Sequence, residues 1–175
     1  MQYSLQQADI LIDLAEQTLQ LPKHNKFYVI SSGKNGIGEQ ENSGKTPRGW
    51  HKVALKFGEF SPINAVFIAR KETGEVYDLE LATAFPERDW ILSRILWLAG
   101  LEPQFNQGEG CDTFNRYIYI HGTPDNQPMG IAASHGCIRM RNQDVIELFE
   151  SIATDALVYL SECKIDQQIY DSLEV

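Results

Sequence analysis

The chain has 175 residues, of which 43% are hydrophobic and 22% charged, which is the size and composition of one ordinary globular domain. The formal net charge of -9 argues against binding to nucleic acid or to an anionic membrane surface, because both depend on clustered Lys and Arg. We therefore expect no nucleic acid and no membrane among its partners.

Residues 4–19 carry apolar side chains at helical spacing, and Pro22 follows them. This pattern predicts an amphipathic N-terminal helix within residues 1–24, packed on the rest of the domain. Acidic residues interrupt the apolar positions, and the segment has no basic n-region and no small-residue cleavage site. We therefore expect a cytoplasmic protein, or a periplasmic one if the chain has been cut from an exported precursor.

Five β-type runs follow, each bounded by Gly, Pro or Asn turn signals, and they predict a largely β core. The runs are residues 26–32, 51–57, 63–70, 75–81 and 116–121. Before the last of them, residues 87–101 place Trp90 and Trp97 on a helical repeat. This repeat predicts an inserted helix whose tryptophans face the core.

A C-terminal helix is predicted to start after Asn142, a residue typical of an N-cap, with Asp144 in its first turn. The run ALVYL at 156–160 predicts a strand that returns to the sheet, and residues 163–175 are left as a C-terminal tail. The predicted fold class is therefore α+β, mainly β.

The stretch from residue 33 to Pro47 imitates a phosphate-binding loop, because glycines lead to Gly44-Lys45-Thr46. A P-loop has four residues between its first glycine and Gly-Lys-Thr, whereas five follow Gly38 here. Pro47 also disfavours a helical conformation for Thr46. We therefore expect a mobile hairpin or loop at residues 33–45 and no nucleotide site.

The three cysteines, Cys111, Cys137 and Cys163, are an odd number at wide spacings, which favours a reducing compartment over a disulfide framework. Cys111 and Cys137 could bind zinc together with His121 and His135, but no ligand pair has the spacing of a zinc site. We expect neither a metal nor a cofactor.

Nucleophilic catalysis accounts for more of these residues. His121 ends a β-type run, where a rigid strand can hold an imidazole close to a thiol, and Cys137 follows 16 residues later. Gly136 permits a tight turn that brings backbone N–H groups near a developing oxyanion. Arg139 is placed to hold a substrate carboxylate by bidentate hydrogen bonds, whereas Arg141 is expected to be solvated.

These residues resemble the signature of the L,D-transpeptidases with the YkuD-type catalytic domain. The signature consists of a His, a connection of a dozen or more residues, and then Ser or Thr followed by His-Gly-Cys, a hydrophobic residue and Arg or Asn. The chain has His121-Gly122 and then Ser134-His135-Gly136-Cys137-Ile138-Arg139. The run KTPRGWHKV is similar to a Thr-Pro-x-Gly segment of the same family, so that the resemblance covers roughly residues 25–162.

The resemblance implies a mixed-sheet β-sandwich catalytic domain with peripheral helices. It implies Cys137 as the nucleophile, His121 as its base and Gly122 as the residue whose carbonyl orients the imidazole. Ser134, His135 and Gly136 would shape the oxyanion hole. The implied partners are peptidoglycan stem peptides, including tetrapeptides and muropeptides, and carbapenem inhibitors that acylate the cysteine.

Three hypotheses about function follow from the resemblance. We favour an L,D-carboxypeptidase that releases D-Ala from tetrapeptides at the diaminopimelate–D-Ala bond during muropeptide recycling, since soluble tetrapeptides are the donors available in a cytoplasm. The second is an L,D-transpeptidase that forms 3-3 cross-links or exchanges D-amino acids. The third is an inactive peptide-binding module, against which the pairing of His121 with Cys137 argues.

Overall fold

The computed structural model of the chain describes residues 3–165, which form ten strands and two α-helices. The strands are β1 Ile10–Asp13, β2 Thr18–Leu21, β3 Lys26–Val29, β4 Gly49–Phe57, β5 Ala65–Ile68, β6 Lys71–Val76, β7 Ile91–Gly100, β8 Tyr119–Gly122, β9 Ile138–Met140 and β10 Leu157–Ser161. The helices are α1 Leu79–Ala84 and α2 Asn142–Ser151, and two 3₁₀ turns lie at Leu5–Gln7 and Pro22–His24. No helix among residues 3–165 is long and apolar enough to span a membrane.

The strands form one mixed sheet in the order β3-β2-β1-β10-β4-β7-β5-β6, to which β8 is added through β7 and β9 through β8. The pairs β1–β10 and β8–β9 are parallel, and the other pairs are antiparallel. Strand β7 pairs with three strands, β4, β5 and β8, and is therefore the centre of the sheet. The mainly β fold expected from the sequence is confirmed.

Side chains alternate between the two faces of β7, β8 and β9, as the two-residue period of a strand requires. Leu96, Ile120 and Ile138 point to one face and join the main core, which helix α2 covers with Val145 and Leu148. Ile95, Trp97 and Tyr119 point to the opposite face and form a second apolar cluster, against which Cys137 packs. The predicted nucleophile thus lies on the face that α2 leaves open.

The prediction of an N-terminal helix within residues 1–24 is wrong. Residues 10–21 form the hairpin of β1 and β2, and all four residues of β1 are buried between β2 and β10. The Asp13 carboxylate ends β1 by accepting hydrogen bonds from the N–H groups of Ala15 and Glu16. A short apolar run in a fully buried strand cannot be distinguished from a helix segment by periodicity alone.

The prediction of an inserted helix at residues 87–101 is also wrong, because Ile91–Gly100 is the central strand β7. Both faces of β7 are covered, so that its apolar residues do not alternate with polar ones and their spacing imitates a helix. Trp90 and Trp97 are nevertheless buried, each only 7% exposed, as expected.

The predicted C-terminal helix and the strand after it are confirmed as α2 and β10, with Arg141 rather than Asn142 at the N-cap. The predicted run at 75–81 is divided, because β6 ends at Val76 and α1 begins at Leu79 with the Asp78 carboxylate as its cap. Most of the tail assigned to residues 163–175 lies outside the described residues.

Candidate active site

The register of β8 and β9 brings the two predicted catalytic residues to one face of the sheet. His121 lies opposite Arg139 in this parallel pair, and Ile120 lies opposite Ile138. Continued by one residue, this register sets Cys137 beside Tyr119, whose N–H donates to the Cys137 Sγ at 3.3 Å. His121 is therefore the diagonal neighbour of Cys137 on the same face, a position from which long side chains can meet.

The Cys137 thiol is half-buried and is held by two backbone groups. Besides the bond from Tyr119 N–H, the thiol donates to the carbonyl oxygen of Tyr117 over 3.4 Å. Burial raises the pKa of Cys137 to about 11, and the Tyr119 N–H and the nearby charge of Arg139 offset only part of this effect. The resting group is therefore a protonated thiol at neutral pH.

The His121 ring is 2% exposed, and its tautomer is fixed by a single hydrogen bond. Nδ1 lies 2.7 Å from the carbonyl oxygen of Gly122, which can only accept, so that Nδ1 carries the proton and Nε2 keeps its lone pair. Burial lowers the pKa of His121 to about 4, and the imidazole is therefore neutral at pH 7. A neutral ring with a free Nε2 can act as a general base.

Ser134 and Gly136 shape the turn that presents the thiol. The Ser134 hydroxyl donates to the Cys137 carbonyl oxygen at 2.5 Å and accepts from the Gly136 N–H at 3.1 Å. Gly136 has a φ of +125°, a conformation that residues with a side chain rarely adopt. Ser134 thus closes the turn, and its bond occupies the Gly136 N–H.

Thr46 supports this turn from the loop that imitates a P-loop. Its buried hydroxyl donates to the carbonyl oxygen of Gly136 at 2.8 Å and accepts from the N–H of Gly33 at 2.8 Å. Sequence reasoning missed this role, although the similarity of KTPRG to a family segment indicated the position. The loop at residues 33–45 is therefore one wall of the site.

Asp89 is a second residue that the sequence reasoning missed, because the segment that contains it was predicted to be helical. Its carboxylate accepts from Arg139 Nη2 at 2.8 Å and from His135 Nδ1 at 2.9 Å. Burial raises the pKa of Asp89, but the hydrogen bond from His135 and the charge of Arg139 outweigh this effect and leave the pKa below its ordinary value. Arg139 is buried, and in this arrangement its carboxylate partner belongs to the protein itself.

Arg141, which was expected to be solvated, is partly exposed. Its guanidinium donates to the carbonyl oxygens of Asp125 and Gln127, at 2.6 and 3.0 Å, and so anchors the connection between β8 and β9. Cys111 contacts the carbonyl oxygen of Gly108, and Cys163 is exposed. Among residues 3–165, no group of His, Cys, Asp and Glu side chains has the arrangement of a metal site.

A cavity of about 420 Å³ borders the turn that carries Cys137. Tyr117, whose carbonyl oxygen accepts from the thiol, and His135 form the side of the cavity nearest to Cys137. Arg116 also lines the cavity and donates to the carbonyl oxygens of Gly38 and Glu39. The other lining residues are Glu41, Asn42, Gly44, Asn115 and Ile118.

Comparisons with known proteins agree with this fold. The model of the L,D-transpeptidase catalytic domain, YkuD, matches residues 7–160. The Salmonella typhimurium protein named "Probable L,D-transpeptidase ErfK/SrfK" is 26% identical over 174 residues, which cover 94% of this chain and 46% of that protein. The Escherichia coli protein named "Probable L,D-transpeptidase YbiS" is 49% identical over 37 residues, or 21% of this chain and 12% of that protein.

Two solved structures share the fold at low sequence identity. The structure of L,D-transpeptidase 3 from Mycobacterium tuberculosis in complex with a faropenem-derived adduct has a TM-score of 0.51 and 16% identity, and it aligns with 87% of this chain and 59% of its own. The structure of Bd1075 from Bdellovibrio bacteriovorus has a TM-score of 0.50 and 13% identity, and it aligns with 95% of this chain and 52% of its own.

The fold is therefore that of an L,D-transpeptidase domain. The match of the family model over residues 7–160 goes further than the fold, and the chain belongs to the family of the L,D-transpeptidase catalytic domain, YkuD. It spans about half or less of the length of the curated relatives described above.

Proposed function

We propose that the chain is a cysteine acyl-transfer enzyme that cleaves the diaminopimelate–D-Ala bond of peptidoglycan stem peptides. With water as the acyl acceptor, the enzyme is an L,D-carboxypeptidase. The observation that carries the proposal is the placement of His121 and Cys137 on one face of β8 and β9, with the imidazole tautomer fixed by the Gly122 carbonyl. A binding module has no need of a free Nε2 beside a thiol.

The proposed reaction begins from a neutral thiol and a neutral imidazole. As the Cys137 sulfur attacks the carbonyl carbon, its proton passes to Nε2 of His121, and the carbonyl oxygen becomes an oxyanion. The imidazolium then returns the proton to the departing amine of D-Ala, leaving a thioester with the tripeptide. Water attacks the thioester with His121 again as base, which releases the tripeptide and restores the thiol.

The turn from Ser134 to Cys137 is the proposed oxyanion site. Because Ser134 holds the Gly136 N–H, we assign the stabilising role to the N–H of Cys137, which the Ser134 hydroxyl and Thr46 fix in place. His135 stands at the edge of this turn, where Asp89 orients its ring. The predicted oxyanion residues thus shape the site through the geometry of the turn.

Amine acceptors define the second candidate function, L,D-transpeptidation. The cavity of about 420 Å³ beside Tyr117 and His135 favours it, because an acceptor peptide needs a groove next to the thioester. The names of the relatives favour it as well. The two reactions share one acyl-enzyme and differ only in which nucleophile reaches it.

The proposed site of action is a reducing compartment, the cytoplasm, where muropeptide recycling supplies soluble tetrapeptides. All three cysteines are free, which supports this assignment. Fractionation of cells that carry the untagged, full-length gene product tests it. Recovery from the periplasm would contradict a cytoplasmic role and favour the transpeptidase.

Product analysis by mass spectrometry tests the function. The protein is incubated with a disaccharide tetrapeptide, alone and with excess D-amino acid or a second stem peptide. We expect tripeptide and D-Ala as the main products in every mixture, no turnover by Cys137→Ser, and full turnover by the matched control Cys111→Ser. Predominant dimers or exchanged D-amino acids would establish the transpeptidase, and tetrapeptide binding without turnover would establish the binding module.

Covalent inhibition provides a second test of the same site. A structure of the same fold was solved in complex with a faropenem-derived adduct, and we propose that carbapenems and penems acylate Cys137 of this chain. Intact-mass spectra after incubation should gain one adduct, and peptide mapping should place it on Cys137. An active protein without any adduct at high inhibitor concentration would contradict the proposed thiol chemistry.

A further inference from the structure

Arg70 occupies a strained position at the tip of a hairpin next to the catalytic face. Ile68 of β5 pairs with Lys71 of β6, so that Ala69 and Arg70 alone form the turn. Both residues have positive φ angles, +47° and +65°. Two-residue hairpin turns with this backbone conformation usually have the sequence Asn-Gly. Backbone strain of this kind persists where the surroundings hold a residue firmly, and it is concentrated at ligand sites.

Aromatic side chains hold the Arg70 guanidinium in one orientation. Its central carbon lies 4.6 Å from the ring centroid of Trp97 and 5.0 Å from that of Tyr117. Nη1 donates to the Tyr119 hydroxyl at 3.0 Å. Trp97 is itself fixed, because it stacks on Phe114 with ring centroids 3.8 Å apart. The planar cation is therefore preorganised.

The same aromatic residues contact the predicted nucleophile. Tyr119 donates its N–H to the Cys137 Sγ, and Tyr117 accepts from this sulfur through its carbonyl oxygen. Trp97 belongs to the apolar cluster against which Cys137 packs. Arg70 and Cys137 thus contact the same two tyrosines, Arg70 through their side chains and Cys137 through their backbone groups.

Arg70 has no carboxylate partner among residues 3–165, although the chain carries a net charge of -9. Of the three other arginines that lie over aromatic rings, Arg94 donates to two carbonyl oxygens instead, and the other two have carboxylate partners. Arg88 is paired with Glu75 at 2.8 Å, and Arg48 is paired with Glu39 at 3.0 Å. Arg139, from which carboxylate binding was expected, is paired with Asp89.

We propose that Arg70 binds a carboxylate of the stem peptide beside Cys137 and so selects donors that carry this charge. The inference rests on the proposed function. One N–H is used by Tyr119, and the remaining donors of the fork suit a carboxylate. The ligand is either the terminal carboxylate of D-Ala or the side-chain carboxylate of diaminopimelate, because both lie near the scissile bond.

Three substrates and one substitution test the role of Arg70. D-Ala or D-alaninamide release is measured for the free tetrapeptide, its C-terminal amide and the tetrapeptide amidated at the diaminopimelate side chain. We expect Arg70→Gln to lower kcat/KM for the free tetrapeptide roughly 10- to 100-fold, the loss of a charge-assisted hydrogen bond. For the wild-type protein, one of the two amides should have a kcat/KM that is lower by the same factor. Arg70→Gln should not lower kcat/KM for this amide any further, and the amide that behaves in this way identifies the carboxylate that Arg70 binds.

Arg48→Gln is the matched control, since it also removes a cation from an aromatic ring but lies in a paired position. It should leave the substrate preference unchanged. If Arg70→Gln does not fold, Arg70→Lys keeps the charge without the planar fork and should show an intermediate loss. Equal losses by Arg70→Gln on all three substrates would mean that Arg70 only packs, and no loss on any of them would equally overturn the inference.

A binding measurement separates this inference from the proposed function. In a Cys137→Ala protein, calorimetry with the free tetrapeptide should show a Kd that Arg70→Gln weakens by the same 10- to 100-fold. Binding that depends on Arg70, together with a wild-type protein that turns over no tetrapeptide, would contradict the proposed function alone. No measurable binding and no turnover would overturn both.

Discussion

The substitution Gly122→Ala, which adds one methyl group, tests how the His121 imidazole is held in place. Gly122 accepts the hydrogen bond that fixes the His121 tautomer. A Cβ at this position would lie 2.4 Å from Asn142 Oδ1 and 2.6 Å from the carbonyl oxygen of Leu92. Both distances are far shorter than a van der Waals contact, so either Gly122 or its neighbours must move.

The neighbours of Gly122 cannot yield easily. The Leu92 oxygen belongs to the backbone of the central strand β7. Asn142 is buried and fixed at both ends of its amide, because it accepts from the Ser93 hydroxyl at 2.7 Å and donates to the Thr123 carbonyl oxygen at 2.8 Å. The strain therefore falls on β8 and displaces the Gly122 carbonyl from the His121 ring.

We expect Gly122→Ala to cost about 1–3 kcal/mol of stability, as overpacking of a rigid core does, and to lower Tm by roughly 2–12 °C. A displacement of about 1 Å at the base should lower kcat about 100-fold. Thermal unfolding and D-Ala release measure the two effects. The matched control is Gly38→Ala, whose Cβ meets the flexible side chain of Lys45 and should cost no more than about 0.5 kcal/mol.

A Gly122→Ala protein that is destabilised but keeps its wild-type kcat would refute the role of the carbonyl and leave Gly122 as a packing residue. A protein unchanged in both respects would refute the close approach of Gly122 to Asn142 and Leu92 as well.

Three further predictions concern other parts of the site. Because burial raises the pKa of Cys137 to about 11, its alkylation by iodoacetamide should rise about tenfold per pH unit from pH 7 to 10, and a plateau at neutral pH in peptide-resolved spectra would instead reveal a preformed thiolate. The pKa of the Asp89 carboxyl lies below its ordinary value, so that its charge stabilises the fold at neutral pH and the effect is lost as the pH falls through this pKa. Asp89→Asn should therefore cost about 1 kcal/mol at pH 7, a figure reduced for the partial exposure of Asp89, and progressively less in denaturant titrations as the pH is lowered into the acid range. Thr46→Val, which leaves the Gly136 carbonyl and the Gly33 N–H unpaired, should cost about 1–3 kcal/mol and lower kcat, whereas unchanged unfolding and turnover would show that the loop does not support the thiol turn.

The placement of His121 and Cys137 close together could be predicted from the sequence because its signal is local. The spacing from His121 to Cys137 and the residues Ser134 to Gly136 are fixed by a strand end and a tight turn, which short motifs encode. The strands with turn signals at their ends were predicted for the same reason. These features depend little on distant parts of the chain.

The errors arise where burial is decided by tertiary contacts. Strands β1 and β7 are covered on both faces, which removes the alternation by which a strand is recognised. Asp89, Thr46 and Arg70 come from three separate loops or turns and meet the site only through the pairing of β7 with its neighbours. No spacing of residues in the sequence predicts such long-range contacts.

Detection of the acyl-enzyme tests whether Cys137 is the nucleophile. Wild-type protein is mixed with tetrapeptide, quenched in acid within the first turnover, and examined by intact-mass and peptide mass spectrometry. We predict a tripeptide thioester on Cys137, accompanied by one equivalent of free D-Ala, and no adduct in the Cys137→Ala protein. An adduct on Cys111, or D-Ala release that persists in Cys137→Ala, would contradict this prediction.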